Sequence, residues 1–321
     1  MMRVLLVVAL TFVASGCGRS LRQISPPGIP GSPALSELWQ EPADIKTRDL
    51  LHGAGGTALA PKGSSFVFVA ADTTGFSPGF DVTDSGGLEW SVKTGPEAQS
   101  EVTTSRILWA IGFHQPPTYY VDRWTLTGAQ AGEQPAGRFR PKLKAEEVVG
   151  DWSWYENPFI GSRPYAGLVV ANLILNSWDW KTSNNKIYAI KNGAGTAERR
   201  FVVRDVGASL GKTTYPHVLK WFRLRGFGQG TRNDLPGFEA QGFITGVDGD
   251  RVKFDYRGIY RDVINSVTPA DVAWASALMS RLSDRQWDDA FKAGGYGPDE
   301  RRRYILKIKE KIGQGLALSA N

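Results

Sequence analysis

Cysteine occurs once in 321 residues, at Cys17, and histidine three times, at His52, His114 and His217. One cysteine excludes an intrachain disulfide and a cysteine-rich zinc site. The histidines are far apart and none stands in His-Glu-x-x-His, so a metallohydrolase is a poor candidate. Charge of one sign is also scarce: 38 Lys and Arg against 32 Asp and Glu leave +6. The basic residues are dispersed, apart from Arg301-Arg302-Arg303 and the lysines after it. That cluster reads as the solvated face of a terminal helix, and no nucleic-acid partner is expected. No apolar run after residue 16 reaches membrane-spanning length. The length admits one large or two ordinary domains, with ample apolar and aromatic material for a core.

The N-terminus is the exception to this even composition. Residues 1–16 read as a signal peptide: Arg3, the apolar run Val4 to Val13, then Ala14-Ser15-Gly16. Cys17 follows at once, and Ala-Ser-Gly-Cys resembles the bacterial lipobox, whose cysteine is lipidated and becomes the new N-terminus. The expectation is an exported protein, lipid-anchored to the bacterial cell envelope through Cys17. Residues 17–40, with Pro26-Pro27-Gly28-Ile29-Pro30-Gly31-Ser32-Pro33, read as a tether that holds a globular body off the membrane.

From about Ser65 the pattern turns to strands. Phe66 to Val69 is a short apolar run, Thr73 to Gly79 a glycine-bearing loop, and Phe80 to Val82 and Leu88 to Lys93 alternate. Gly75-x-Ser77-x-Gly79 has the form of a hydrolase nucleophile elbow. That reading fails, because Pro78 has no N–H for the oxyanion hole and a strand follows where a helix is needed. Pro96 opens a helix over 97–113, carrying Glu97 and Glu101 on one face and ending at Gly112. Thr118 to Leu126 reads as one strand and Gly128 to Pro141 as a polar loop. Trp152, Trp154 and Tyr155 read either as core aromatics or as the wall of a base pocket. Further on, 243–247 and 252–256 form a hairpin around Asp248-Gly249-Asp250. Helices then begin at Thr268-Pro269, Ser283 and Pro298.

The stretch that organises the chain is Asp179-Trp180-Lys181-Thr182-Ser183-Asn184-Asn185. The apolar segment Tyr165 to Trp178 runs into it, and Asp205-Val206-Gly207 follows after two strands. Apolar helix, Asp-x-Lys-x-x-Asn, strand, strand, Asp-x-Gly is the order that carries phosphoryl transfer in protein-kinase-like folds. With Val92-Lys93 and the 97–113 helix upstream, residues 60–210 resemble the atypical kinases. The HipA-type and phosphatidylinositol-kinase-like groups, with an Asn-rich apolar helix before the catalytic loop, are the nearest in pattern. Departures are a catalytic loop without histidine, Val206 in place of Phe, and a nonstandard glycine loop.

The resemblance implies an α+β fold of two lobes, with a small antiparallel-sheet N-lobe (41–155) carrying one helix and a mainly helical C-lobe (156–321). It implies ATP and Mg²⁺ (or Mn²⁺) between the lobes and a hydroxyl-bearing acceptor, whether protein, lipid or small molecule. By motif position Lys93 is the phosphate lysine and Glu101 its partner, with Gly75 and Gly79 in the phosphate loop. Asp179 is the base, Lys181 a γ-phosphate contact, and Asn184 and Asp205 the metal ligands. The alternative is a non-catalytic envelope lipoprotein that uses the same body as a nucleotide- or protein-binding module.

Overall fold

The computed structural model describes residues 19–25, 33–72, 77–191, 197–214 and 230–320. The leader, Cys17, most of the proline-rich stretch and Gly75 lie outside the described residues.

The described chain starts with β1 (Arg22–Gln23). A small lobe follows: β2 (Ser65–Asp72), β3 (Gly79–Thr83), β4 (Glu89–Thr94), α1 (Glu97–Ala110), β5 (Tyr119–Val121), β6 (Trp124–Thr127), β7 (Gly132–Gln134) and β8 (Gly137–Pro141). Its strands form one sheet in the order β5-β8-β4-β3-β2-β6-β7, antiparallel except where β2 meets β6. The large lobe holds β9 (Glu146–Asp151), β10 (Glu156–Asn157), α2 (Arg163–Ile174), β11 (Asn185–Lys191), β12 (Ala197–Val203) and α3 (Leu235–Ala240). The hairpin β13 (Ile244–Asp248) and β14 (Arg251–Phe254) follows, then α4 (Arg261–Ile264), α5 (Pro269–Ser280), α6 (Asp284–Ala293) and α7 (Pro298–Ala317). This is the two-lobed α+β architecture expected from the motif order, with a mainly helical second lobe.

Each lobe has its own core. Phe66, Val82, Trp90, Val92, Trp124, Leu126 and Phe139 alternate inward from the small sheet. The larger core joins α2, α5, α6 and α7 to the inner side of α1. Helix starts follow their capping chemistry. Thr268 accepts from the Asp271 N–H while the Asp271 carboxylate accepts from the Thr268 N–H, and Ser283 and Gln286 repeat the exchange. Ser162 caps α2, with Pro164 in its first turn.

Four local expectations are corrected. The polar loop 128–141 contains β7 and β8, and β8 lies between β5 and β4 inside the sheet. Only Phe139 in it is a large hydrophobe, and its two arginines are charge-paired in the interior, so periodicity gave no strand signal. The single strand over 118–126 is two strands, parted at Asp122-Arg123. The lobe crossing comes earlier than residue 155, because β9 already pairs with β11. The tether does not start free of the body. β1 pairs in parallel with β10, the Arg19 N–H donates to Asp262 at 3.1 Å, and Arg22 pairs with Glu156. Leu38, Ile45 and Leu50 are part of the large core.

Candidate active site

Lys93 is the penultimate residue of β4, opposite Gly79 on β3 and Arg138 on β8. Gly79 is thus inside the ladder and not in a phosphate loop, a correction to its expected role. A Cβ there would lie 3.0 Å from the Val92 carbonyl, so glycine keeps β3 close to β4. The Lys93 ammonium donates to Asp205 Oδ2 at 2.7 Å. Burial pushes the Asp205 carboxyl up, but Lys93, then Arg138 and Arg140, outweigh it and hold the group below the usual carboxylate range.

Helix α1 clamps the segment after Asp205. The Ser100 hydroxyl donates to the Gly207 carbonyl at 2.6 Å, and the Thr104 and Ser209 hydroxyls are 2.8 Å apart. A Cβ on Gly207 would come 2.8 Å from Glu97 Cβ, so only glycine admits this approach. These contacts give buried polar residues of α1 their partners.

The partner expected for Lys93 is different in the structure. Glu101 is 1% exposed and faces Arg138 at 2.9 Å and Arg140 at 3.8 Å, both from β8. Its carboxylate serves this internal charge cluster and does not meet Lys93. Glu97, one turn earlier, is the glutamate on the Lys93–Asp205 side. It accepts from Ser77 Oγ at 3.0 Å and pairs with Arg232 at 2.9 Å. Burial raises its carboxyl above the ordinary value; Arg232 opposes that, Asp205 adds to it, and Lys93 opposes it. The Lys93 partnership was expected of Glu101, the other glutamate on that helix face.

The Asp179 loop is framed from below. Asn176 adopts φ 51°, donates to the Gly211 carbonyl at 2.6 Å and accepts from the buried Lys311 ammonium at 2.7 Å. Asparagine tolerates that left-handed turn. Trp178 donates to the Thr231 carbonyl at 2.7 Å and Trp180 to the Ser177 carbonyl at 2.8 Å, which pins the chain on both sides of Asp179. Asp179 Oδ2 accepts from Lys181 at 2.7 Å. Its Oδ1 is buried without a hydrogen-bond partner among the described residues. The Asn184 amide donates to the Asp179 carbonyl at 2.9 Å.

Lys93, Asn184 and Asp205 line one cleft of about 630 Å³ between the lobes. Backbone pairing draws the last two together, since the Arg204 N–H donates to the Asn184 carbonyl at 2.9 Å. Pro141, Leu143 and Glu146 of the lobe crossing, with Arg140, Tyr188 and Arg204, continue the lining. Burial, then Arg138 and Arg204, pulls Arg140 down to about 10. Asp179 and Lys181 are outside this lining and connect to it through Asn184. The aromatics Trp152 and Trp154 are core residues, 1% exposed, so they do not wall the cleft.

The donor set suits a metal-bound triphosphate. With its amide nitrogen committed to Asp179, Asn184 has its oxygen left for the cleft. Asp205 offers a carboxylate of depressed pKa, which stays ionised. Such hard oxygens suit Mg²⁺ when phosphates and water complete the shell. Among the described residues no cluster of three or more His, Cys, Asp or Glu side chains could hold a metal by itself. Arg140, Arg204 and Arg232 were missed from sequence, because neither arginine of the cleft belongs to a spaced motif and Arg232 lies far along the chain.

No family model matches the chain, and no curated protein matches it in sequence. Among solved structures it is similar to the Helicobacter pylori proinflammatory kinase CtkA, at 10% identity over 80% of this chain and 98% of that one, with a TM-score of 0.47. It is also similar to the Golgi casein kinase, at 9% identity over 87% and 74%, with a TM-score of 0.37. The Rio2 kinase of Chaetomium thermophilum, solved as an ADP/Mg²⁺-phosphoaspartate complex, aligns at 13% identity over 81% and 74%, with a TM-score of 0.33. At these values the functional reading rests on the chain's own geometry.

Proposed function

We propose that the chain is an ATP-dependent, kinase-like phosphotransferase of the atypical, HipA-type or phosphatidylinositol-kinase-like kind. In this reading it moves the γ-phosphoryl group to a hydroxyl acceptor. The observation that carries the reading is the arrival of Lys93, Asn184 and Asp205 in one inter-lobe cleft, with Lys93 paired to Asp205 at 2.7 Å. Residues 112 apart in sequence are brought together there by two different lobes.

Each residue then has a role that its chemistry supports. Lys93 holds the α- and β-phosphates, releasing Asp205 to the metal. Asn184 and Asp205 hold Mg²⁺, which when bound neutralises the phosphate oxygens. Asp179 receives the acceptor's proton through Oδ1, while Lys181 holds Oδ2 and stands ready to contact the γ-phosphoryl group. Glu97 takes the place first given to Glu101: its carboxyl feels both Lys93 and Asp205, so it is the α1 carboxylate that would steady Lys93 when Lys93 turns to phosphate. We further propose export and lipid anchoring at Cys17.

Purified protein incubated with γ-labelled ATP and Mg²⁺ or Mn²⁺ tests this. Transfer or hydrolysis is expected, reduced on the order of 10²-fold or more in Asp179→Asn. No turnover across metals and acceptors, with nucleotide binding intact, would favour the binding-module alternative.

A further inference from the structure

The end of the cleft beyond Lys93 carries charge where the base of a nucleotide would lie. We propose that this end reads the base, and that the cleft binds guanine nucleotides in preference to adenine nucleotides. The proposal rests on the phosphotransferase reading above and specifies the base of its donor. The direction of the nucleotide follows from the strands. Lys93 stands opposite Arg138, and Arg140 stands opposite Ser91, two residues nearer the lobe crossing. That step is about 7 Å along β8. With the phosphates at Lys93, Asn184 and Asp205, the rest of a nucleotide runs toward Arg140, Leu143 and Glu146, which line the same cleft. Its volume of about 630 Å³ suits a ligand of that size.

Three charged groups gather at that end. Arg140 comes from the small lobe, with its guanidinium 3.8 Å from Glu101, a carboxylate that already pairs with Arg138 at 2.9 Å. Arg204 comes from the large lobe and donates to the Tyr188 hydroxyl at 3.4 Å. The two guanidiniums are close enough that Arg204, after burial and Arg138, helps pull Arg140 down. Glu146 is the carboxyl beside them. Burial raises it above the ordinary value, and Arg200, then Arg140, oppose that. Neither Arg204 nor Glu146 has a salt-bridge partner within 4.0 Å among the described residues. Leu143 and Val148 add apolar surface for a flat ring.

Guanine presents O6 and N7 as acceptors on one edge, with the N1–H and N2–H donors next to them. A guanidinium only donates, and takes O6 and N7 together. A carboxylate only accepts, and suits the N1–H and N2–H pair. Adenine carries an amino donor where guanine has O6. It therefore meets the arginines donor to donor and leaves their N–H groups unpaired in a half-buried site. Two arginines also suit a phosphate group. Glu146 repels a phosphate at this end, however, and Lys93 with the metal ligands already provides for the phosphates at the other.

The test is calorimetric titration of the full chain, in Mg²⁺, with GTP, ITP and ATP. Inosine keeps O6, N7 and N1–H and lacks the 2-amino group. GTP should bind at least about tenfold more tightly than ATP, with ITP between them, a series that needs no variant. Arg204→Gln and Glu146→Gln should each bring GTP and ATP to within about threefold of one another, with circular dichroism melts reporting that each variant is folded. ATP bound as tightly as GTP, or ITP bound no better than ATP, would overturn the proposal. Equal weakening of GTP and ATP in folded Arg204→Gln would assign that arginine to phosphate and overturn it too. Failure of the underlying reading looks different. Guanine selectivity with no γ-label transferred or released from GTP would sink the phosphotransferase reading and leave the base selectivity standing.

Discussion

Replacing Glu101 with glutamine separates the two glutamates of α1 in one experiment. Glu101 is the nearest carboxylate to Arg138, which is wholly buried, at 2.9 Å, and it lies 3.8 Å from Arg140. At an effective dielectric of about 20, a unit-charge pair at the shorter distance is worth roughly 6 kcal/mol before desolvation is counted. Removing one partner of a buried pair leaves the other charge uncompensated, which costs about 3–5 kcal/mol. With a urea m-value of about 3 kcal/mol/M, the midpoint should fall by roughly 1 M or more. Glu97→Gln should behave oppositely. Its carboxyl is raised by burial, so the charged form is disfavoured in the fold and neutralising it near pH 7 costs little stability. Its effect should appear in nucleotide affinity instead. Urea titrations of both variants at pH 7, each followed by an MgATP thermal shift, make the comparison. Equal midpoints for Glu101→Gln and the parent chain would refute the charge-cluster assignment. Loss of nucleotide binding in a folded Glu101→Gln would restore the original assignment of Glu101 as the partner of Lys93.

Three further outcomes are expected. Gly207→Ala forces a Cβ to within 2.8 Å of Glu97 Cβ and should lower stability by about 1–3 kcal/mol, measured by urea unfolding. Burial, then Lys307, pulls the Lys311 ammonium down to about 7. Between that value and the ordinary lysine pKa the unfolded chain holds the proton and the folded chain does not, so stability should rise with pH, by at most about 1.4 kcal/mol per unit. Lys311→Met should flatten that rise in melts taken from pH 7 to 10. Saturating MgATP at 100 times its dissociation constant should stabilise the parent chain by roughly 2.7 kcal/mol and leave Asn184→Ala with a clearly smaller gain.

The charged motifs were legible because the chemistry fixes both residue type and spacing. Asp179, Asn184 and Asp205 stand at positions where a loop leaves a helix or a strand, and Lys93 is next to last in an alternating strand. The choice between Glu97 and Glu101 was not legible from α1 alone, since both share a face four residues apart. The deciding partners are Arg138 and Arg140, on a strand that read as a polar loop because it carries one large hydrophobe. Misreading β8 therefore also misassigned Glu101. Gly79 was placed in a phosphate loop on spacing, whereas ladder pairing with Asp72 and Lys93 puts it in the sheet. The docking of Arg19 to Gln23 was hidden by its polar composition, which matches a tether as well as a short edge strand.

Calorimetric titration of ATP into the protein, with and without Mg²⁺, tests the central claim most directly. If Lys93, Asn184 and Asp205 form one metal-nucleotide site, binding should require the metal. It should weaken by at least tenfold in Lys93→Met and be lost in Asp205→Ala. Binding that ignores Mg²⁺ and survives Asp205→Ala unchanged, or no binding at millimolar nucleotide with either Mg²⁺ or Mn²⁺, would contradict it.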